Sequence, residues 1–298
     1  MNKLGVHAFV WEKGWSQEEC SRAVARTAEV GFDLIEISVM DPKQVDIDHT
    51  RRQLEHAKLG ATMSFGLDAS TDISSNDPEK TKRGQARLIE YIHLCRDIGA
   101  THLCGILHSA FQKYAVPTTK EGVARSVEVL HHVGGIAAES GVTLGLEVVN
   151  RYESNVLNTA AQAVEMCRRI GLPNVRAHLD VYHMNIEESD MSSAIIETGD
   201  YIGYFHTGDS HRGYLGSGSI DLTAAFRALV KSGYQGPITF ESFSSRVVGQ
   251  PLEGILGIWR NLWDDSMDLA THALMYTKAM LKAAEEAERQ ATERSRLP

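Results

Sequence analysis

The sequence predicts a single α/β domain closed as a (β/α)8 or TIM barrel, and three observations point there. Short β-branched or apolar runs alternate eight times with longer amphipathic stretches. Most of those stretches stop at a glycine a few residues before the next apolar run. The turn after the first strand, Val10-Trp11-Glu12-Lys13-Gly14, lacks the G-x-G-x-x-G pattern that an open doubly wound sheet would place there. Eight strand–helix pairs with short returns are the number that closes a parallel barrel.

In chain order, strands are expected at 4–10, 34–38, 61–67, 102–107, 143–149, 175–180, 202–208 and 238–243, each a short apolar run bounded by polar or glycine residues. Helices are expected between them at 17–30, 48–59, 78–98, 120–140, 160–170, 191–198 and 222–231. A last helix should run from near 252 through 287. Gly31, Gly60, Gly99, Gly141, Gly171 and Gly233 read as C-terminal stops, where a left-handed residue ends a helix without steric penalty. The barrel is assigned to 1–283, and the charged segment 284–298 to a solvated C-terminal helical tail.

The chain has 298 residues, with 39 acidic and 30 basic side chains and a formal charge of −9. That balance argues against a nucleic-acid backbone or an anionic membrane surface as partner and leaves a small molecule open. Cys20, Cys95, Cys104 and Cys167 form no C-x-x-C pair, so buried reduced thiols in a cytoplasmic protein are expected. No apolar run approaches a membrane span, and segment 4–11 is too short for a signal peptide.

Barrel chemistry sits at the C-terminal ends of the strands. Strands five to eight end in Leu146-Glu147-Val148, Leu179-Asp180, Phe205-His206-Thr207 and Phe240-Glu241-Ser242. Glu147, Asp180, His206 and Glu241 are thus 33, 26 and 35 residues apart, about one βα unit each. One such group in an apolar strand can be an ordinary buried ion-pair member. Four in register on adjacent strands would repel severely without a cation, because only Arg151 lies close in sequence to neutralise them. Three carboxylates and one imidazole suit a hard divalent ion. Glu153, His183 and Arg212 follow the same strand ends, where loop charges are often merely solvated.

These segments resemble the ketose 3-epimerase family (D-tagatose, D-psicose and L-ribulose 3-epimerases) among xylose-isomerase-like barrels. The matching pieces are Leu146-Glu147-Val148-Val149-Asn150-Arg151-Tyr152-Glu153, His178-Leu179-Asp180-Val181-Tyr182-His183-Met184-Asn185-Ile186-Glu187-Glu188, the stretch from His206 to Arg212, Gly216-Ser217-Gly218-Ser219-Ile220-Asp221, Phe240-Glu241-Ser242-Phe243 and Gly31-Phe32-Asp33-Leu34-Ile35-Glu36. The resemblance implies one divalent metal ion per subunit, Mn²⁺ with Co²⁺ or Mg²⁺ as alternatives, held by Glu147, Asp180, His206 and Glu241. It implies Glu147 and Glu241 as an acid/base pair, and Glu153, His183 and Arg212 as ligands of the C1–C3 end of a sugar. Inverting C3 of a ketose fits that set. A proton leaves one face and returns to the other, while a cation chelated by O2 and O3 stabilises the enediolate. His7, Trp11, Ser64, Ile106 and Phe111 are candidates for the C4–C6 end, with Trp11 and Phe111 alternatively capping the core.

Four rivals are weaker, one of them a non-catalytic sugar-binding barrel, which would have no use for a charged metal cluster and would tolerate loss of Glu147 or Glu241. A phosphosugar epimerase would use the glycines at 213, 216 and 218 as a phosphate cradle, though they also suit a flexible loop leading to Asp221 as a helix N-cap. An aldose–ketose isomerase on the same barrel needs only one base. A DNA-directed metal hydrolase would want a basic groove and many more histidines. Trp259 and Trp263, on an expected helix, should cap the rim or form a subunit interface, and the resemblance implies a homodimer or homotetramer.

Overall fold

Alternation along eight short parallel strands sorts the side chains into an inner set and an outer set. The computed structural model describes residues 2–295. Strands β1 (Leu4–His7), β2 (Leu34–Ser38), β3 (Gly60–Ser64), β4 (His102–Gly105), β5 (Thr143–Glu147), β6 (Val175–Asp180), β7 (Ile202–Thr207) and β8 (Ile238–Phe240) pair in chain order, and β8 closes on β1. Around them lie α1 (Gln17–Val30), α2 (Ile47–Ala57), α3 (Pro78–Ile98), α4 (Lys120–Glu139), α5 (Ala160–Ile170), α6 (Val181–Glu187), α7 (Met191–Thr198), α8 (Leu222–Lys231), α9 (Ser245–Val248), α10 (Leu252–Leu256) and α11 (Ser266–Ser295). The expected TIM barrel is therefore the observed fold. No described helix is long and apolar enough to cross a membrane.

Outward-facing Val6, Ile35, Ile37, Met63, Leu103, Leu144, Leu146, Leu179, Phe205 and Phe240 are buried and supply the apolar layer beneath the helices. The inner layer is polar instead. The Tyr204 hydroxyl lies 2.6 Å from both Thr62 Oγ1 and Thr239 Oγ1 and donates to Glu36 Oε2 at 2.8 Å. A barrel interior is a packed core. Here it carries hydrogen bonds toward the rim.

Local signals set most boundaries. Helix α1 starts at a capping box in which Ser16 and Glu19 satisfy each other's backbone N–H, and α5 starts the same way with Thr159 and Gln162. Gly31, Gly99 and Gly171 end helices in the left-handed conformation. Gly141 and Gly233, also at positive φ, sit one residue past the caps Ser140 and Ser232. Gly60 does not act as a stop. Lys58 takes the left-handed position (φ 56°) and Gly60 opens β3.

Six expected strands run one to three residues too far, because the apolar pattern continues after the backbone has left the ladder. After β1 the chain tightens at once into a 3-10 turn, Ala8–Val10, whose Phe9 N–H is capped by His7. Helix α6 was not expected; Asp180 caps it through Tyr182 N at 2.7 Å. The last expected helix is α10 and α11 with an irregular stretch at 257–265 between them, and the short α9 precedes it unexpected. Trp259 and Trp263 lie on that irregular stretch rather than on a helix. Helix α11 passes position 284 without a break; residues 296–298 of the expected tail lie outside the described residues.

Gly105 ends β4 at φ 114°, and a Cβ there would sit 2.1 Å from Phe65 O. Gly105→Ala is expected to cost about 2–4 kcal/mol, from backbone strain plus overpacking. Gly135→Ala, inside α4 with open space around it, should gain up to about 1 kcal/mol. Urea unfolding of both variants checks the pair; equal midpoints would contradict the packing argument.

Candidate active site

The strand register brings the four expected rim groups together. Asp180 lies opposite His206 across β6 and β7, and Glu147 opposite His178 across β5 and β6. Glu241 follows β8 directly, its N–H donating to Thr207 O at 2.9 Å. Potential ligand atoms of Asp180, His206 and Glu241 lie within 4.8 Å of one another, as do those of Glu147, Asp180 and His183, and of Glu147, His178 and His206. His206 Nδ1 is 3.7 Å from Glu241 Oε2. His206 Nδ1 and Asp180 Oδ2 are buried without a hydrogen-bond partner among the described residues. Orphaned buried acceptors converging on one point are what a cation site leaves when its ion is removed from the account.

Electrostatics agree. Burial, joined by the charges of Glu241, Asp180 and Glu153, pushes the Glu147 carboxyl well above its ordinary range. Burial likewise pushes Asp180 up, against the opposing pull of Arg212. Burial opposes ionisation of Glu241 too, but Arg212, His206 and His7 together hold it below the ordinary carboxylate range. His206 is pushed up to about 10, because Glu36 and Glu241 outweigh its burial. Clustered carboxylates and imidazoles with surplus negative charge fit a divalent ion.

The cationic partner differs from the expected one. Arg151 turns outward and pairs with Glu187 at 2.8 Å. Arg212, from the loop after β7, pairs with Glu241 and lies 3.5 Å from Asp180 Oδ2. Its guanidinium stacks 4.1 Å above the Tyr182 ring and 4.9 Å from Phe243. Arg212 sits at φ 57°, an uncommon conformation for a residue other than glycine. Buried Asp209 builds that loop: it accepts from Ser210 N and Gly216 N at 2.7 and 2.8 Å, and its carbonyl accepts from Arg212 N at 2.8 Å. Gly218 leaves room for Asp209, since a Cβ there would be 1.9 Å from Oδ1.

This organisation bears on the phosphosugar reading. The Gly216 N–H is taken by Asp209, the Gly213 N–H by His211 Nδ1 and the Ser219 N–H by Ser210 Oγ. These donors are turned inward to hold the loop, not outward to a phosphate.

Two histidines face the cavity. His183 Nδ1 lies 3.2 Å from Asn150 N, and its Nε2 lies 3.3 Å from Arg212 Nη2, 3.6 Å from Glu147 Oε1 and 3.8 Å from Glu153 Oε2. Asn150 also donates to Glu153 Oε1 at 2.9 Å. His7 Nδ1 accepts from Phe9 N at 3.1 Å, which leaves Nε2–H facing Ser64 Oγ at 3.4 Å and Glu241 Oε1 at 3.9 Å.

A cavity of about 110 Å³ joins these groups: Glu147, Glu153, His183, His206, Arg212, Glu241, His7, Ser64, Ile106 and Phe111 all line it. That size suits a small molecule. Trp11 does not line it; it is buried in the main core cluster. Trp263 is buried as well, donating to Ser242 Oγ at 2.8 Å, whereas Trp259 is 77% exposed. Sequence reasoning assigned no part to Phe9, Ser38, Phe65, Gly66, Gly105, Phe243 and Leu256, which complete the lining. It also gave none to Glu36, whose Oε2 lies 2.7 Å from His206 Nε2. The signal for Glu36 was present: a carboxylate between two isoleucines at an inward position of Leu34-Ile35-Glu36-Ile37-Ser38.

Comparison with known proteins agrees with this geometry. Residues 24–271 match the family described as the xylose isomerase-like TIM barrel. The chain is 45% identical to a ketose 3-epimerase of Arthrobacter globiformis over 94% of this chain and 97% of the relative. It is 44% identical to an L-ribulose 3-epimerase of Mesorhizobium japonicum over 95% and 96%. A solved L-ribulose 3-epimerase superposes with a TM-score of 0.96 at 43% identity, covering 100% of both chains. A D-allulose 3-epimerase from Methylomonas sp., solved with D-allulose, gives 0.92 at 42% identity, covering 94% and 97%. Fold, rim chemistry and near full-length similarity agree that this chain belongs to the ketose 3-epimerase family of isomerases, within the xylose isomerase-like TIM barrels.

Proposed function

We propose that this protein interconverts free ketoses of the L-ribulose and D-allulose type by inverting C3, with Glu147 and Glu241 exchanging the roles of base and acid. The observation that carries the reading is that both glutamates line one small cavity, from β5 and from the end of β8, and each belongs to a buried triad of potential ligands that includes Asp180. Their environments differ in the sense that two-base chemistry needs. Arg212 beside Glu241 favours its carboxylate and suits it to take the C3 proton from one epimer, and Glu147, from β5, is assigned the return of one to the opposite face. Each turnover leaves the two protons interchanged, so exchange with solvent resets the pair. A divalent cation, Mn²⁺ by this reading, would be held by Glu147, Asp180, His206 and Glu241 and would supply Lewis-acid polarisation of the C2 carbonyl.

Glu153, His183 and Arg212 are assigned to the C1–C3 end of the sugar, where all three line the cavity. His7 and Ser64 supply polar contacts at the other end, and Ile106 and Phe111 an apolar wall. Four buried free cysteines suit a reducing, cytoplasmic setting. Trp259, exposed beside half-exposed Ile255, is a fitting contact for a homodimer or homotetramer.

Proton exchange at C3 tests the chemistry. Enzyme stripped of metal and reloaded with Mn²⁺ is incubated in D₂O with D-allulose, D-fructose, L-ribulose and D-tagatose, then followed by NMR. Deuterium at C3 together with a new C3 epimer is expected, only with metal. Label at C1 with an aldose appearing would make the enzyme an aldose–ketose isomerase. Turnover confined to phosphorylated ketoses would overturn the free-sugar reading.

Glu147→Gln and Glu241→Gln should each lower kcat by about 10²- to 10⁴-fold. Residual rates near wild type in either would remove it from the acid/base pair.

Metal removal has a thermal readout. Mn²⁺ at about 100 times its Kd should add about 2.7 kcal/mol to stability, raising Tm by about 4 °C for a chain of this size. An unchanged Tm would argue against a resident ion.

A further inference from the structure

Beneath His206, on its side away from the cavity, lies a carboxylate that the two-base chemistry does not use. Glu36 projects inward from β2 and is fully buried. Its Oε2 is 2.7 Å from His206 Nε2. The same oxygen accepts from the Tyr204 hydroxyl at 2.8 Å. That hydroxyl has one proton and two lone pairs. Its lone pairs are met by the hydroxyls of Thr62 and Thr239, both at 2.6 Å, so its proton goes to Glu36. The other oxygen, Oε1, lies 3.7 Å from His7 Nε2, the nitrogen that carries that ring's proton. Oε2 is thus met by two donors, Oε1 faces His7 Nε2 beyond hydrogen-bond distance and has no partner among the described residues, and the arrangement favours the ionised form.

An ionised carboxylate accepts and cannot donate, so the proton shared with His206 belongs to the histidine's Nε2. Nδ1 is then the lone-pair nitrogen. That is the atom left without a partner, 3.7 Å from Glu241 Oε2 in the cluster with Asp180. We propose that Glu36 is a positioning residue of the centre: by taking the Nε2–H of His206 it fixes that ring's tautomer and direction, so that Nδ1 presents its lone pair to the ion. The inference rests on the assignment of His206 as a ligand. Carboxylate support of a ligating imidazole raises its basicity, and losing such a partner costs about 10- to 100-fold in metal affinity. Tyr204, Thr62 and Thr239 hold the carboxylate in place from below and tie the centre to three other strands.

The test is metal binding to folded, metal-free protein, measured by titration with Mn²⁺ and with Co²⁺, whose visible absorption reports its ligand field. Glu36→Gln keeps the volume, removes the charge and can turn an amide N–H toward His206. Its Kd for metal should rise by about 10- to 100-fold with a changed Co²⁺ spectrum, while gel filtration and near-ultraviolet circular dichroism stay native. Should Glu36→Gln fail to fold, Tyr204→Phe decides, since it removes one of the two donors to Oε2 and leaves His206 untouched; a smaller rise in Kd is expected. Wild-type affinity with an unchanged Co²⁺ spectrum in the folded variant would overturn the proposal and leave the metal centre standing. Failure of the wild-type protein to bind metal would sink the centre itself.

Discussion

Five carboxylates, Glu36, Glu147, Glu153, Asp180 and Glu241, share one buried end of the barrel, and the rest of the site is arranged around that repulsion. Isolated ionised groups in such a place are costly. Arg212 meets Glu241 and Asp180 from above and His206 meets Glu36 and Glu241 from within. One guanidinium and one imidazole against five carboxylates leave a deficit, and its local expression is uneven. Glu147 is driven toward its neutral form and Glu241 toward its ionised form. The contrast arises from where Arg212 lands, not from any difference between the two side chains.

Holding Arg212 there explains features that look unrelated along the chain. The loop after β7 folds around buried Asp209, which consumes its backbone donors, and Gly218 is small because Asp209 needs the space. Ser242, beside Glu241, links the Arg212 carbonyl to Trp263, so one hydrogen-bonded chain joins the β7 loop, the end of β8 and the segment before α11. The positive φ of Arg212 is stabilised by these contacts and by stacking on Tyr182 and Phe243. Below the rim, the hydroxyl network around Tyr204 replaces the branched apolar layers that ordinarily fill such a barrel. A carboxylate such as Glu36 is sustainable there because two donors meet its Oε2.

Much of this was legible in the sequence. Eight alternations, capping residues and glycine stops specify strands and helices through local backbone chemistry, and one strand-end group per βα unit is a spacing that only a closed parallel sheet turns into a cluster. Glu147, Asp180, His206 and Glu241 could be read for that reason: strand period and barrel closure together decide which end and which face they share. Strand ends were overextended because apolar character persists past the last ladder bond, in residues such as Val148, Val149 and Phe243 that stay buried in rim loops.

The tertiary structure alone decided which cation answers the carboxylates. Arg151 is next to the strand-five end in sequence but points outward to Glu187, while Arg212 arrives from another loop. It alone placed Trp11 in the core and out of the cavity, and separated buried Trp263 from exposed Trp259. It alone gave Glu36 a partner, because the contact joins β2 to β7 across the barrel, 170 residues apart in the chain. Local propensity and periodicity act over a few residues and are written in the sequence; which charges meet depends on loop paths and on contacts across the barrel, which form only when the whole sheet has closed.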